Sequence, residues 1–221
     1  MRVKICGATR VEEVELLAAA GIDFVGLWHG VPGGRTELTL ARLTHLAASA
    51  TAQLKPILVT LESAVDKLAR VVGESGINWI QLHGYQQPAV VRCLKTACPR
   101  TTIVKVLHLR DGECIERSLI RTYQRSGVDM FLLDALAADG RIGSTAQTID
   151  PSAAERIAEL SERSFMLAGG LTASNSAHYR TLANHPRFFG IDVDSGARNT
   201  RGRIDARRVA DIRDQWTVVA R

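Results

Sequence analysis

Gly127-Val128-Asp129-Met130-Phe131-Leu132-Leu133-Asp134 reads as a helix stop, a short turn and a strand with a carboxylate at its far end. Glycine supplies the left-handed residue that closes many helices. The apolar run that follows has no polar alternation, so it fits a strand buried on both faces, as in a parallel sheet. The same device recurs as Gly21-Ile22-Asp23 before Phe24 and as Gly76-Ile77-Asn78 before Trp79. Working outward, eight apolar runs appear: Val3–Cys6, Phe24–Leu27, Pro56–Thr60, Trp79–Leu82, Ile103–Leu107, Met130–Leu133, Phe165–Ala168 and Phe188–Val193. Amphipathic stretches follow them in turn, at Val11–Ala20, Leu40–Ala48, Ala64–Gly73, Pro88–Ala97, Ile115–Ser126, Pro151–Ser161, Ala173–Asn184 and Asp205–Trp216. Eight strand–helix units without a linker predict an α/β protein, a single-domain (β/α)8 TIM barrel over residues 1–221. An open doubly wound sheet is the competing architecture. It would carry Gly-x-Gly-x-x-Gly after the first strand, where Gly7-Ala8-Thr9 stands instead.

Composition narrows the function. The chain has 221 residues, 46% hydrophobic and 5% aromatic, with 28 Lys plus Arg against 23 Asp plus Glu, a net charge of +5. Mean hydropathy is zero. These values exclude a disordered or fibrous chain. Cys6, Cys93, Cys98 and Cys114 form no Cys-x-x-Cys pair and are too few for a disulfide scaffold, so free thiols are expected. The opening residues Met1 to Gly7 lack an apolar targeting stretch, and no apolar run approaches a membrane span. A cytoplasmic protein without membrane partner is expected. Arg198, Arg201, Arg203, Arg207, Arg208 and Arg213 make the last segment basic. No aromatic interleaving or nucleic-acid motif accompanies them, so a solvated helix face, or attraction of a small anionic substrate, fits better than nucleic acid.

A barrel of this kind places its chemistry at the C-terminal ends of its strands. Gly169-Gly170 after the seventh run and Ser195-Gly196 after the eighth offer backbone N–H groups to a phosphate, although such glycines also make tight turns. Asp134 ends an apolar run. A carboxylate partly desolvated at a barrel mouth suits general-acid work, but could equally cap a helix or pair with a neighbouring loop. Cys6 ends the first run, and a buried thiol is commonly an inert small hydrophobe. Lys4 shares its strand face, and the Lys4 ammonium is expected to lower the thiol pKa and make a competent base. Gln81 and His83 share one face of the fourth run and could donate hydrogen bonds to a substrate or be satisfied barrel-mouth residues. His29, His83 and His108 are spread over three strands without a carboxylate spacing that implies metal, so no metal site is expected.

Lys4-Ile5-Cys6-Gly7-Ala8-Thr9, Gln81-Leu82-His83-Gly84, Leu132-Leu133-Asp134, Leu167-Ala168-Gly169-Gly170-Leu171 and Asp192-Val193-Asp194-Ser195-Gly196 occur in order across the chain. Together they resemble phosphoribosylanthranilate isomerase, a (β/α)8 barrel family of tryptophan biosynthesis. The resemblance implies opening of the ribose ring of N-(5-phosphoribosyl)anthranilate and an Amadori rearrangement, without cofactor or metal. It implies Cys6 as the base that takes the C2 proton and Asp134 as the acid that protonates the ring oxygen. Arg35 would face the anthranilate carboxylate, and Gly169, Gly170, Ser195 and Gly196 would hold the phosphate. Lys4, Gln81, His83, Gly143, Ser144, Asp192 and Asp194 would complete the substrate contacts. The implied partner is a small anionic sugar-phosphate or aryl-carboxylate substrate, with the chain a monomer or homodimer.

Three loops depart from the family pattern. The loop after the second run is Trp28-His29-Gly30-Val31-Pro32-Gly33-Gly34-Arg35. The loop after the sixth, Ile142 to Asp150, lacks the family's lysine. The last carries Asp194 where the family has serine, and a carboxylate facing a phosphate repels it unless Arg198 compensates. An isomerase with diverged loops, a paralogue acting on another ribosylated or aldose substrate, and a catalytically silent ligand-binding barrel are the three readings these motifs allow.

Overall fold

The computed structural model describes residues 1–136 and 147–220. Their strands are β1 (Arg2–Cys6), β2 (Phe24–Trp28), β3 (Lys55–Thr60), β4 (Trp79–Leu82), β5 (Thr102–Arg110), β6 (Glu113–Cys114), β7 (Met130–Ala135), β8 (Ser164–Leu167) and β9 (Phe188–Val193). All but β6 pair in parallel in the order β4-β3-β2-β1-β9-β8-β7-β5, and β4 pairs with β5 to close the ring. The closed eight-stranded parallel barrel is the architecture the eight units predict. Helices α1 (Val11–Ala19), α2 (Leu40–Ser49), α3 (Val65–Ser75), α4 (Pro88–Ala97), α5 (Ile120–Arg125), α6 (Pro151–Glu159), α7 (Arg180–Ala183) and α8 (Ala206–Val219) connect the strands.

The strand runs lack alternation because both faces are buried, one in the barrel and one under helices. On β5, Val104 and Val106 face inward; on β7, Met130 and Leu132 do so, meeting Met166 and Ala168. Ile103, Leu107, Phe131 and Leu133 face the larger core beneath the helices. A tilted aromatic pair, Phe24 and Trp79 with centroids 4.9 Å apart, helps to fill the interior. By this alternation Asp134 is the next inward position on β7 and His108 on β5. They lie in direct register. The helix-closing glycines 21, 76 and 127 all have positive φ, as the repeated device requires.

Two elements differ from the sequence expectation. The fifth connection opens with a hairpin rather than a helix at Ile115. Asp111 and Gly112 take φ of 53° and 79°, the left-handed pair a tight two-residue turn needs, and β6 returns along the end of β5. The seventh helix begins late because Thr172 and Asn175 satisfy each other locally: Thr172 N–H donates to Asn175 Oδ1 at 2.9 Å, and Asn175 N–H to Thr172 Oγ1 at 3.2 Å.

The final helix buries Val209, Ile212, Trp216 and Val219 and leaves Arg207 and Arg208 exposed. The basic segment of α8 is thus a solvated face. No helix among the described residues is long and apolar enough to cross a membrane. Trp216 is fully buried, stacks on Tyr179 at 5.7 Å and donates through Nε1 to the Thr172 carbonyl at 2.9 Å. It ties the last helix to the loop after β8. Trp216→Ala is expected to cost about 3–5 kcal/mol, read as a lower urea midpoint with an unchanged slope.

Candidate active site

The inward residues of β1 meet a small but highly charged neighbourhood. Lys4 is fully buried, and its Nζ donates to Asp192 Oδ2 at 2.7 Å and to Cys6 Sγ at 3.2 Å. Trp28 at the end of β2 adds a second donor, its Nε1 standing 3.1 Å from the same sulfur. Parallel pairing creates this cluster, since Lys4 lies in register with Asp192 of β9 and Cys6 with Gly26 of β2. Gly26 has to lack a side chain: a Cβ there would lie 2.6 Å from Sγ and 2.9 Å from Nζ. Neither Gly26 nor Trp28 stood out as a site residue in the sequence. Only the register shows what they do.

The electrostatics of Cys6 correct one expectation. Burial works to lower Lys4, but Asp192 and Cys6 outweigh it, and its pKa is raised above the ordinary lysine value. Burial raises the Cys6 thiol, Lys4 pulls it down, and the carboxylates of Asp192 and Asp194 push it up again, to about 12. The Lys4 effect is present in the expected direction but loses to desolvation. Cys6 is therefore a neutral thiol, with two N–H donors aimed at its sulfur.

Across the mouth, Asp134 at the end of β7 is buried. His83 Nε2 stands 3.4 Å from its Oδ2. Gln81 Nε2 lies 2.8 Å from His83 Nδ1. An amide NH2 can only donate, so in this arrangement the His83 proton sits on Nε2, toward Asp134. Among the described residues, His83 Nε2, Gln81 Oε1, Asp192 Oδ1 and His108 Nε2 are buried without hydrogen-bond partners. Buried polar atoms are ordinarily satisfied, so such a group at one end of a barrel marks a surface built for a polar ligand.

Asp194 points at arginines. Its Oδ2 pairs with Arg35 Nη2, and its Oδ1 accepts from Arg198 Nε at 2.8 Å. Arg198 is buried and also donates to the carbonyls of Cys6 and Gly7, at 2.9 and 2.8 Å, and to Gly202 O at 2.9 Å. It fastens the end of β1 to the end of β9. Of the six arginines in the basic segment, this one belongs to the site's scaffold. Its sequence signal was the acid four residues earlier.

The loops after β8 and β9 touch closely. Gly169 and Gly170 are both left-handed, with φ of 85° and 56°. Asn175 Nδ2 donates to Gly170 O at 2.9 Å, holding the turn. Leu171 O approaches to 2.0 Å from where a Cβ on Gly196 would lie, so only glycine permits the approach. Ser195 and Gly196 lie in a 3-10 turn beside it. Gly143 and Ser144 fall outside the described residues. Among the described residues, no group of three or more His, Cys, Asp or Glu side chains could hold a metal ion.

The structure thus gathers Lys4, Cys6, Gln81, His83, Asp134 and Asp192 at one end of the barrel, with Arg35 and Asp194 on its rim. A family model described as N-(5'phosphoribosyl)anthranilate (PRA) isomerase matches residues 3–215. The N-(5'-phosphoribosyl)anthranilate isomerase of Chromohalobacter salexigens is 34% identical over 212 residues, covering 94% of this chain and 90% of that protein. The crystal structure of phosphoribosyl anthranilate isomerase from Thermus thermophilus superposes with a TM-score of 0.82 at 21% identity, covering 99% of this chain and all of that one. A phosphoribosyl anthranilate isomerase solved in complex with reduced 1-(o-carboxyphenylamino)-1-deoxyribulose 5-phosphate gives a TM-score of 0.77 at 22% identity, with 99% of each chain covered. On the match of the family model over almost its whole length, the chain belongs to the N-(5'-phosphoribosyl)anthranilate isomerase family.

Proposed function

We propose that this chain carries out the isomerisation for which its family is described, with Asp134 as acid and Cys6 as base. The observation that carries the reading is the pair itself: a buried carboxyl on β7 and a buried, doubly hydrogen-bonded sulfur on β1, both facing one barrel mouth. The reacting form has its proton on Asp134 and none on Cys6. Asp134 gives that proton to the ribose ring oxygen as the C1–O bond breaks, and the aryl-amine lone pair forms the C1=N bond. Positive charge beside Cys6 favours the thiolate, offsetting part of the burial that opposes it. The thiolate takes the C2 proton. Ketonisation of the amino-enol passes the 2-hydroxyl proton to Asp134 and the proton held by Cys6 to C1, which resets the pair. Every step is a proton transfer between chain and substrate.

The remaining contacts follow the same reading. Gly169, Gly170, Ser195 and Gly196 receive the phosphate, and Arg35 the anthranilate carboxylate. Lys4 serves the chemistry through Cys6 and Asp192. Asp194, with Trp28-His29 and the altered loop from Ile142 to Asp150, argued for a different substrate. The charge of Asp194 is matched by Arg35 and Arg198, which supports a phosphate-bearing ligand beside it.

Cys6→Ala and Asp134→Asn should each lower kcat by about 10²- to 10⁴-fold in a coupled assay with freshly generated phosphoribosylanthranilate, and should fail to rescue a tryptophan auxotroph. Near-parental turnover in either variant would remove that residue from the mechanism. Gly26→Ala drives a methyl group toward Sγ and Nζ and should cost about 10²-fold in kcat and also lower the melting temperature, because it crowds the partners of the buried Lys4 ammonium. The raised Cys6 pKa sets a further expectation. Because the thiolate is the alkylated form, iodoacetamide should label exposed Cys93 at pH 7 well before Cys6, and Cys6 labelling should accelerate about tenfold per pH unit on going alkaline. Equal labelling of both at pH 7, followed by mass spectrometry, would contradict this.

A further inference from the structure

His108 is fully buried near the end of β5, and the acid–base pair leaves it unused. Its surroundings are specific. Glu116 holds it at two points: Oε1 lies 2.6 Å from the ring Nδ1, and Oε2 accepts from the His108 backbone N–H at 2.9 Å. Burial tends to raise Glu116, but the His108 hydrogen bond and the nearby Lys105 ammonium outweigh it and hold the carboxyl below its ordinary value. Lys105 Nζ is 3.9 Å away. Glu116 is therefore a carboxylate, able only to accept, and the ring proton lies on Nδ1. In the neutral imidazole this makes Nε2 an acceptor. Among the described residues Nε2 has no partner.

The ring is also aimed. His108 follows Val104 and Val106 on the inward face of β5 and lies in register with Asp134. His83 packs against it edge-on with centroids 5.9 Å apart, and Tyr85 tilts against it at 5.0 Å. In the closed strand order β5 stands across the mouth from β1, and β4 across from β9. Phosphate at the β8–β9 loops and a sugar between Cys6 and Asp134 put the aryl-amine end over β3, β4 and β5.

We infer that His108, fixed by Glu116, accepts a hydrogen bond through Nε2 from the aryl-amine N–H of the substrate. The assignment rests on the isomerase reading above. The contact has a chemical consequence. The amine lone pair forms the C1=N bond as the ring C1–O bond breaks and the ring oxygen takes its proton from Asp134. An acceptor on the amine N–H strengthens as nitrogen becomes positive, so the bond is tighter in the transition state than in the ground state.

Two variants separate this role from a structural one. His108→Asn keeps a donor for Glu116 and removes the far nitrogen. His108→Gln presents an acceptor near the Nε2 position and gives up the Glu116 contact. In the same isomerase assay, His108→Asn should lose about 10- to 100-fold, chiefly in kcat, and His108→Gln should retain more of the parental rate. Binding of reduced 1-(o-carboxyphenylamino)-1-deoxyribulose 5-phosphate, which keeps the amine N–H, should weaken in the same order. Thermal melts establish that each variant is folded at the assay temperature. The reverse order, with His108→Asn near parental, would overturn the inference and make His108 only a partner for Glu116. A parental chain that neither turns over phosphoribosylanthranilate nor binds the analogue would instead overturn the isomerase reading, and this assignment with it.

Discussion

A lysine ammonium sealed inside the barrel is the constraint on which the site depends. Taking a charge out of water costs several kcal/mol, and the cost is recovered only where partners are close and well aimed. Lys4 has two, Asp192 Oδ2 at 2.7 Å and Cys6 Sγ at 3.2 Å. Neither partner can move without stranding it. Asp192 must come from the adjacent strand β9, Cys6 from two residues along β1, and Gly26 on β2 must leave the space open. Three neighbouring strands are thus locked in register by one charge.

The same arrangement sets up an opposition at the sulfur. Lys4 and Trp28 both offer N–H groups to Sγ, which suits a thiolate. Burial and two carboxylates favour the neutral thiol and prevail. An enclosed sulfur of this kind responds strongly to any positive charge placed beside it, because little water is present to screen the effect. The atoms of Gln81, His83, Asp192 and His108 that lack a hydrogen-bond partner among the described residues are the counterpart in hydrogen bonding. Buried polar atoms are ordinarily satisfied, so this unmet capacity sets the barrel mouth apart from the rest of the interior.

The rim is stabilised by arginine. Arg198 donates to the carbonyls of Cys6 and Gly7 and to Asp194, so the end of β1 cannot drift from the end of β9. Arg35 grips the other oxygen of Asp194. An acidic residue that looks unfavourable beside a phosphate becomes, with two guanidiniums around it, part of a net positive rim. Glu116 does similar work for His108 on the opposite side of the mouth.

The sequence by itself determined the barrel. Apolar runs without alternation, helix-stopping glycines at 21, 76 and 127, and eight repeats without a linker leave few other ways to bury the strands. It also marked Cys6, Asp134, Gln81 and His83, because strand ends are where such a fold exposes its chemistry. The Asp111-Gly112 turn is a local signal that the helical pattern following it masks. Tertiary structure alone decided the rest. That Lys4 meets Asp192 from 188 positions away, that Asp194 faces Arg35 and Arg198, that Gly26 is a vacancy for a sulfur and that His108 shares a register with Asp134 all depend on which strands become neighbours. Whether the thiol is charged likewise depends on how completely the closed barrel excludes water. Register and desolvation are properties of the assembled ring, and no stretch of sequence carries them.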